Sequence, residues 1–191
     1  MEICVIGAGY VGMVTGVCLA EVGNQVTFIE VEEEKVEKIN EGISPIHEEG
    51  LDELLLKNIR KIRATSLYEP VKNADIIFIC VGTPSMKDGS IDLSYVKNTA
   101  ENIGKKMGDG WKIVVVKSTV TPGTTEGIVL PILEENSGKK AGKDFGLAMN
   151  PEFLREGKAV EDFMNPDRIC LLYTSDAADE GLGVDLGGRR I

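Results

Sequence analysis

Glu2-Ile3-Cys4-Val5-Ile6 runs directly into Gly7-Ala8-Gly9-Tyr10-Val11-Gly12. Met13 to Val22 then carries apolar residues at helical spacing, and Gln25-Val26-Thr27-Phe28-Ile29 closes on Glu30. The order is strand, glycine turn, helix, strand, acid, which is the setting a dinucleotide fingerprint requires. Gly7 allows the tight turn off the strand. Gly9 lets a pyrophosphate approach the backbone, and Gly12 lets the helix lie close on the sheet. The helix N-terminus offers free N–H groups and partial positive charge to phosphates. Glu30 stands eighteen residues after Gly12. An acid there can accept hydrogen bonds from the adenosine ribose and would repel a 2′-phosphate, so NAD is expected over NADP.

Outward from this stretch, strand and helix alternate through Met149. Glu32 to Glu41 reads as a charged helix and Leu51 to Ile59 as a short amphipathic one. Arg63-Ala64-Thr65 reads as a third strand, and Leu67 to Asn73 as helix. Asp75 to Val81 is a continuous apolar strand of the kind found in parallel sheets covered on both faces. It ends in Gly82-Thr83-Pro84-Ser85. Leu93 to Met107 reads as helix, Lys112 to Val116 as strand, Pro122 to about Glu135 as helix, and Phe145 to Met149 as strand. The fold class is α/β, a doubly wound parallel sheet of Rossmann type. In such sheets ligands bind outside the carboxyl ends of the strands. Gly7–Gly12, Gly82–Ser85, Lys117–Thr119 and Asn150–Glu156 all follow strand ends, and topology brings them to one edge. Thr83 reads as a cofactor contact or as a plain turn residue. Lys35 reads as a solvated charge or as a cation near the adenosine end. His47 reads as a surface histidine.

The 191 residues allow one domain with room for an appendage, and 42% apolar content suits a globular core. A net charge of −10 argues against nucleic acid and acidic membrane surfaces as partners. No apolar run reaches the roughly eighteen residues of a membrane span. Met1 leads straight into a strand, so no secretory signal is expected. Cys4, Cys18, Cys80 and Cys170 are widely spaced and suggest reduced thiols in a cytoplasm; no metal site is expected.

With these motifs assembled, the chain resembles the N-terminal NAD-binding domain of the UDP-glucose 6-dehydrogenase and GDP-mannose dehydrogenase family. The resemblance runs from Met1 to about Ile169. It is carried by Gly7-Ala8-Gly9-Tyr10-Val11-Gly12, Ile79-Cys80-Val81-Gly82-Thr83-Pro84-Ser85, Val116-Lys117-Ser118-Thr119-Val120, Asn150-Pro151-Glu152-Phe153-Leu154-Arg155-Glu156-Gly157 and Asn165-Pro166-Asp167-Arg168. It implies oxidation of a sugar C6 alcohol to a carboxylate in two NAD-dependent steps, through a cysteine thioester that is then hydrolysed. Glu152 matches the acid that activates water, with Thr119 beside the reacting carbon. Glu152, Phe153, Leu154, Arg155 and Glu156 are implied at the sugar nucleotide. Gly7, Gly9, Tyr10, Val11, Gly12, Glu30, Lys35, Thr83, Thr119 and Glu156 are implied at the cofactor. UDP-glucose is expected over GDP-mannose.

Two departures from the family are evident. The Glu30 position is more often aspartate, and Glu49 replaces a usual proline. The family's nucleophilic cysteine, an essential lysine and a long central helix fall beyond Ile169 with no counterpart here, and Cys170 lacks the setting of that cysteine. The parent enzyme is expected to be a homo-oligomer. The NAD-binding domain is expected to end at Ile169. Residues 170–191 look like in-frame translation of sequencing-library adapter DNA and are set apart from the fold. The printed polypeptide is therefore expected to bind NAD without turning over. Two other readings remain: an inert NAD-binding module, and a Rossmann oxidoreductase acting on a hydroxy acid. The Asn150–Glu156 segment argues against the latter.

Overall fold

Six apolar runs become the parallel strands of one sheet: β1 (Glu2–Ile6), β2 (Gln25–Ile29), β3 (Ile62–Thr65), β4 (Ile76–Ile79), β5 (Ile113–Val116) and β6 (Gly146–Met149). The computed structural model describes residues 1–173. A two-residue strand, β7 (Leu172–Tyr173), pairs antiparallel with β6, and the strand order is β3-β2-β1-β4-β5-β6-β7. The first six follow the doubly wound order in which the chain reverses direction beside β1. Among the described residues the helices are α1 (Tyr10–Glu21), α2 (Glu33–Asn40), α3 (Leu51–Lys57), α4 (Ser94–Lys106), α5 (Leu130–Ser137) and α6 (Ala159–Met164).

Alternation along β1 divides the core. Ile3 and Val5 pack with buried residues of α1, α2, α3 and α6, while Cys4 and Ile6 pack with those of α4 and α5. Successive strand side chains point to opposite faces, so a continuous apolar strand is what a sheet covered on both sides needs. Helix α1 is buried on most of its circumference, from Gly12 through Cys18.

Two stretches differ from expectation. Leu67–Asn73 forms only a 3-10 turn, Glu69–Asn73, with Pro70 at its start. The run from Pro122 opens as a turn, passes through a π-type stretch at Thr125–Val129, and becomes α helix only at Leu130. Pro131 has no N–H to give to Gly127, so the ordinary ladder cannot close there. At the far edge of the sheet the chain runs on past Ile169. Leu172 and Tyr173 pair with Met149 and Ala148, and the Asn150 side-chain amide donates to the Cys170 carbonyl at 2.6 Å. The edge of β6 would otherwise present unpaired backbone groups, so the sheet continues past Ile169. The rest of the supposed tail, 174–191, lies outside the described residues.

Gly16 sits where α1 crosses β2. A Cβ there would stand 2.3 Å from Cζ of Phe28, itself fully buried. Gly16→Ala should therefore destabilise the chain by about 1–3 kcal/mol through overpacking, read as a lower midpoint in urea. In a Phe28→Leu background the same change should cost less, with a coupling of about 0.5–3 kcal/mol. Equal costs in both backgrounds would show that α1 does not bear on the ring.

Candidate functional site

Strand register assembles the site. Thr65, Ile29, Ile6, Ile79, Val116 and Met149 lie level across the sheet. The next residue on five of these strands donates its amide to the neighbouring strand's last carbonyl: Glu30 to Thr65, Gly7 to Ile29, Cys80 to Ile6, Lys117 to Ile79 and Asn150 to Val116. The polar strand ends therefore share one row at the carboxyl edge.

At the β1 end, Gly7 has φ +94°, and a Cβ there would lie 2.8 Å from the Cys80 carbonyl oxygen. A Cβ on Gly12 would lie 1.9 Å from the Gly7 carbonyl oxygen and 3.3 Å from Cβ of Cys80. The turn, the helix and the end of β4 are thus in backbone contact. A Cβ on Gly9 would meet nothing within 4 Å, and no side chain caps α1. The first turn at Tyr10 and Val11 therefore presents amides to an open space, the geometry that takes a pyrophosphate. The residues present fit a dinucleotide.

Glu30, 7% exposed, accepts from the Ala8 amide at 2.8 Å through Oε2. Its Oε1 accepts from Val31 at 2.8 Å and Glu32 at 3.1 Å. The acid is fixed against the glycine turn by three backbone donors. Lys35 Nζ pairs with Glu32 at 2.6 Å, which raises the Lys35 pKa, with Glu30 adding to the effect.

The β4 and β5 turns are tied together. Thr83 Oγ1 donates to the Thr119 carbonyl at 2.8 Å, and Ser118 Oγ donates to the Val81 carbonyl at 2.7 Å. Thr119 is exposed. Lys117 is buried, and its ammonium donates to Asn150 Oδ1 at 3.0 Å. Burial lowers its pKa, opposed by Cys80 and Glu152.

Beyond β6, a cavity of ≈ 830 Å³ is lined by Lys117, Asn150, Glu152–Arg155 and residues of 162–169, a size ordinary for a ligand site. Glu152 Oε2 accepts from the Leu154 amide at 2.7 Å. Phe153 lies under the guanidinium of Arg168, 4.7 Å from the ring centroid. Arg155 forks onto Asp162 at 2.6 and 3.1 Å and holds that carboxyl down at about 2. Glu156 is exposed.

One residue that sequence reading passed over joins these parts. Glu48, between His47 and Glu49, is 4% exposed and receives Tyr10 Oη and the amides of Gly157 and Ala159. Nothing in an acid-rich loop marks one glutamate as buried. His47 and Glu49 are exposed, as a surface reading of the histidine expects. No cluster of metal-ligating side chains occurs among the described residues.

The sequence profile of the UDP-glucose/GDP-mannose dehydrogenase family, NAD binding domain, matches residues 1–181. The chain is 44% identical over 185 residues to a UDP-glucose 6-dehydrogenase of Haloferax volcanii, covering 95% of this chain and 43% of that one. It is 46% identical over 171 residues to a GDP-mannose 6-dehydrogenase of Pseudomonas syringae, covering 87% of this chain and 39% of that one. A ternary complex of Pseudomonas aeruginosa GDP-mannose dehydrogenase superposes with a TM-score of 0.89 at 40% identity, over 95% of this chain and 43% of that one. A Pyrobaculum islandicum UDP-glucose dehydrogenase superposes at 0.84 with 41% identity, over 95% of this chain and 42% of that one. The chain thus spans about two fifths of the length of these relatives. With a bare helix N-terminus over an open glycine turn, a buried acid beside it, and a profile match over nearly its whole length, the chain belongs to the UDP-glucose/GDP-mannose dehydrogenase family, as its NAD-binding domain.

Proposed function

We propose that this chain holds NAD across the carboxyl ends of β1, β4 and β5 and, in a full-length protein, serves the four-electron oxidation of UDP-glucose to UDP-glucuronate. The observation that carries the cofactor placement is the open Gly9 turn beside the fixed Glu30 carboxylate. The Tyr10 and Val11 amides would take the pyrophosphate, with Gly7, Gly9 and Gly12 giving the clearance. Glu30 would accept from the adenosine ribose, and Lys35 would stand at that end. Thr83, Thr119 and Glu156 would meet the other half of the cofactor. When bound, NAD accepts the hydride removed from the sugar carbon.

Glu152 is assigned as the base that draws a proton from water. Its Oε2 is fixed by Leu154, and its Oε1 has no hydrogen bond among the described residues. Thr119 would sit beside the reacting carbon. Phe153, Leu154, Arg155 and Glu156 would line the sugar nucleotide together with Glu152. GDP-mannose is the second reading, favoured by the closer superposition on the GDP-mannose dehydrogenase, 0.89 against 0.84. A cytoplasmic setting belongs to the same proposal: Cys4, Cys18 and Cys80 are free and buried, as in a reducing compartment. No helix among the described residues is long and apolar enough to cross a membrane.

NAD should bind more tightly than NADP in a fluorescence titration, because a 2′-phosphate would face the Glu30 carboxylate. Glu30→Gln should narrow that difference, and Glu30→Ala should weaken NAD by about 1–3 kcal/mol by removing the acceptor for the ribose hydroxyls. Equal wild-type affinities would sink the assignment.

The 191-residue polypeptide with saturating NAD and UDP-glucose should form no UDP-glucuronate. A thioester needs a thiolate, and burial pushes the thiols of Cys4, Cys18 and Cys80 up to about 12. Formation of UDP-glucuronate, followed by chromatography, would overturn this.

A further inference from the structure

Glu48 lies in the loop between α2 and α3. Its carboxylate is buried and engaged on both oxygens. Oε2 accepts from Tyr10 Oη at 2.6 Å and from the Gly157 amide at 2.8 Å, and Oε1 accepts from the Ala159 amide at 2.9 Å. Tyr10 Oη also lies 3.3 Å from the Arg155 carbonyl oxygen. One carboxylate therefore holds together two pieces of chain, one at Tyr10 and one beginning 145 residues later at Arg155. One is the first turn of α1, which would face the pyrophosphate in the placement proposed above. The other is the segment after Leu154-Arg155, which borders the cavity.

The second piece has few other polar ties, and its packing rests on Ala159, which is fully buried in the cluster around α1. Helix α6 has six residues, and Gly157, at φ +81°, precedes it in an exposed stretch. Besides Glu48, the Arg155–Asp162 fork is its main polar tie, and Arg155 is itself exposed. Short exposed segments open locally at low free-energy cost. Opening here would break the bonds from Gly157 and Ala159 to Glu48 and unseat the Tyr10 hydroxyl. The donors on Glu48 favour its ionised form: burial opposes this, but Tyr10, the two amides and His47 together lower its pKa.

We propose that Glu48 is a positioning residue that couples the two ligand sites, so that NAD bound at the first turn of α1 holds the 155–159 segment closed beside the sugar-nucleotide cavity. The inference rests on the cofactor placement proposed above. Holding Tyr10 against the pyrophosphate fixes the hydroxyl that Glu48 needs, and Glu48 then holds the Gly157 and Ala159 amides. The effect is reciprocal: a ligand that closes this segment tightens NAD by the same factor.

Amide hydrogen exchange at Gly157 and Ala159, measured on the 191-residue chain with and without saturating NAD, tests this. NAD should slow both amides by a factor of about five or more. In Glu48→Gln and in Tyr10→Phe the ratio of rates with and without NAD should fall toward one. A group that only staples the fold would change the rates in both conditions alike and leave the ratio intact. Tyr10→Phe keeps the carboxylate and both amides, so it decides the matter if Glu48→Gln unfolds. A parallel fluorescence titration reads NAD binding itself. No binding would overturn the cofactor placement and the inference with it. Binding without slowing in the wild type, or slowing retained in Tyr10→Phe, would overturn the coupling alone.

Discussion

Backbone contact between the glycine turn and the end of β4 is the constraint from which the rest follows. With a Cβ at Gly12 only 1.9 Å from the Gly7 carbonyl oxygen, α1 could not start where it does. Its first amides would then not face the open space over Gly9. The same closeness seals Cys80 beneath the turn, which leaves its thiol neutral and inert. Helix α1 is consequently buried on most sides, and residues of the sheet, α3 and α6 all pack into the cluster it belongs to.

Two buried carboxylates organise what lies around that turn, and both are satisfied by donors rather than by ion pairs. Glu30 takes three backbone amides, and Glu48 takes two amides and a phenol. An unpaired buried charge would cost far more than these bonds return, so each acid is also a constraint on the chain that serves it. Glu30 fixes the turn at Ala8 and the start of the loop after β2. Glu48 fixes the start of α6. The functional edge is thus held from both sides of the cofactor helix by groups unable to relax without losing several bonds at once.

Farther along the edge, Lys117 and Asn150 carry the same logic toward β7. The ammonium donates to Asn150, whose own amide donates to the Cys170 carbonyl just before the edge strand. A buried cation is tolerated because a neighbouring amide oxygen faces it, with the carboxylate of Glu152 lending charge. Glu152 therefore stands in a field set partly by a lysine that sequence reading noted only as a polar strand end.

The class of fold is legible in spacing along the chain. Continuous apolar runs at Glu2–Ile6, Asp75–Val81 and Lys112–Val116 belong only in a sheet covered on both faces, and the glycine spacing with Glu30 belongs to a dinucleotide turn. Those signals are local, being carried by spacing and side-chain type within one strand–helix–strand unit. Tertiary structure alone decided which polar residues are buried and what they hold. Glu48 and Glu49 are chemically alike and adjacent, yet one is buried and the other exposed, because only one meets amides from 109 and 111 residues away. Likewise, Leu172-Tyr173 has no strand period of its own; it pairs because the backbone of β6 needs a partner. Spacing along the chain cannot report such encounters, because burial belongs to the partner surface and not to the residue.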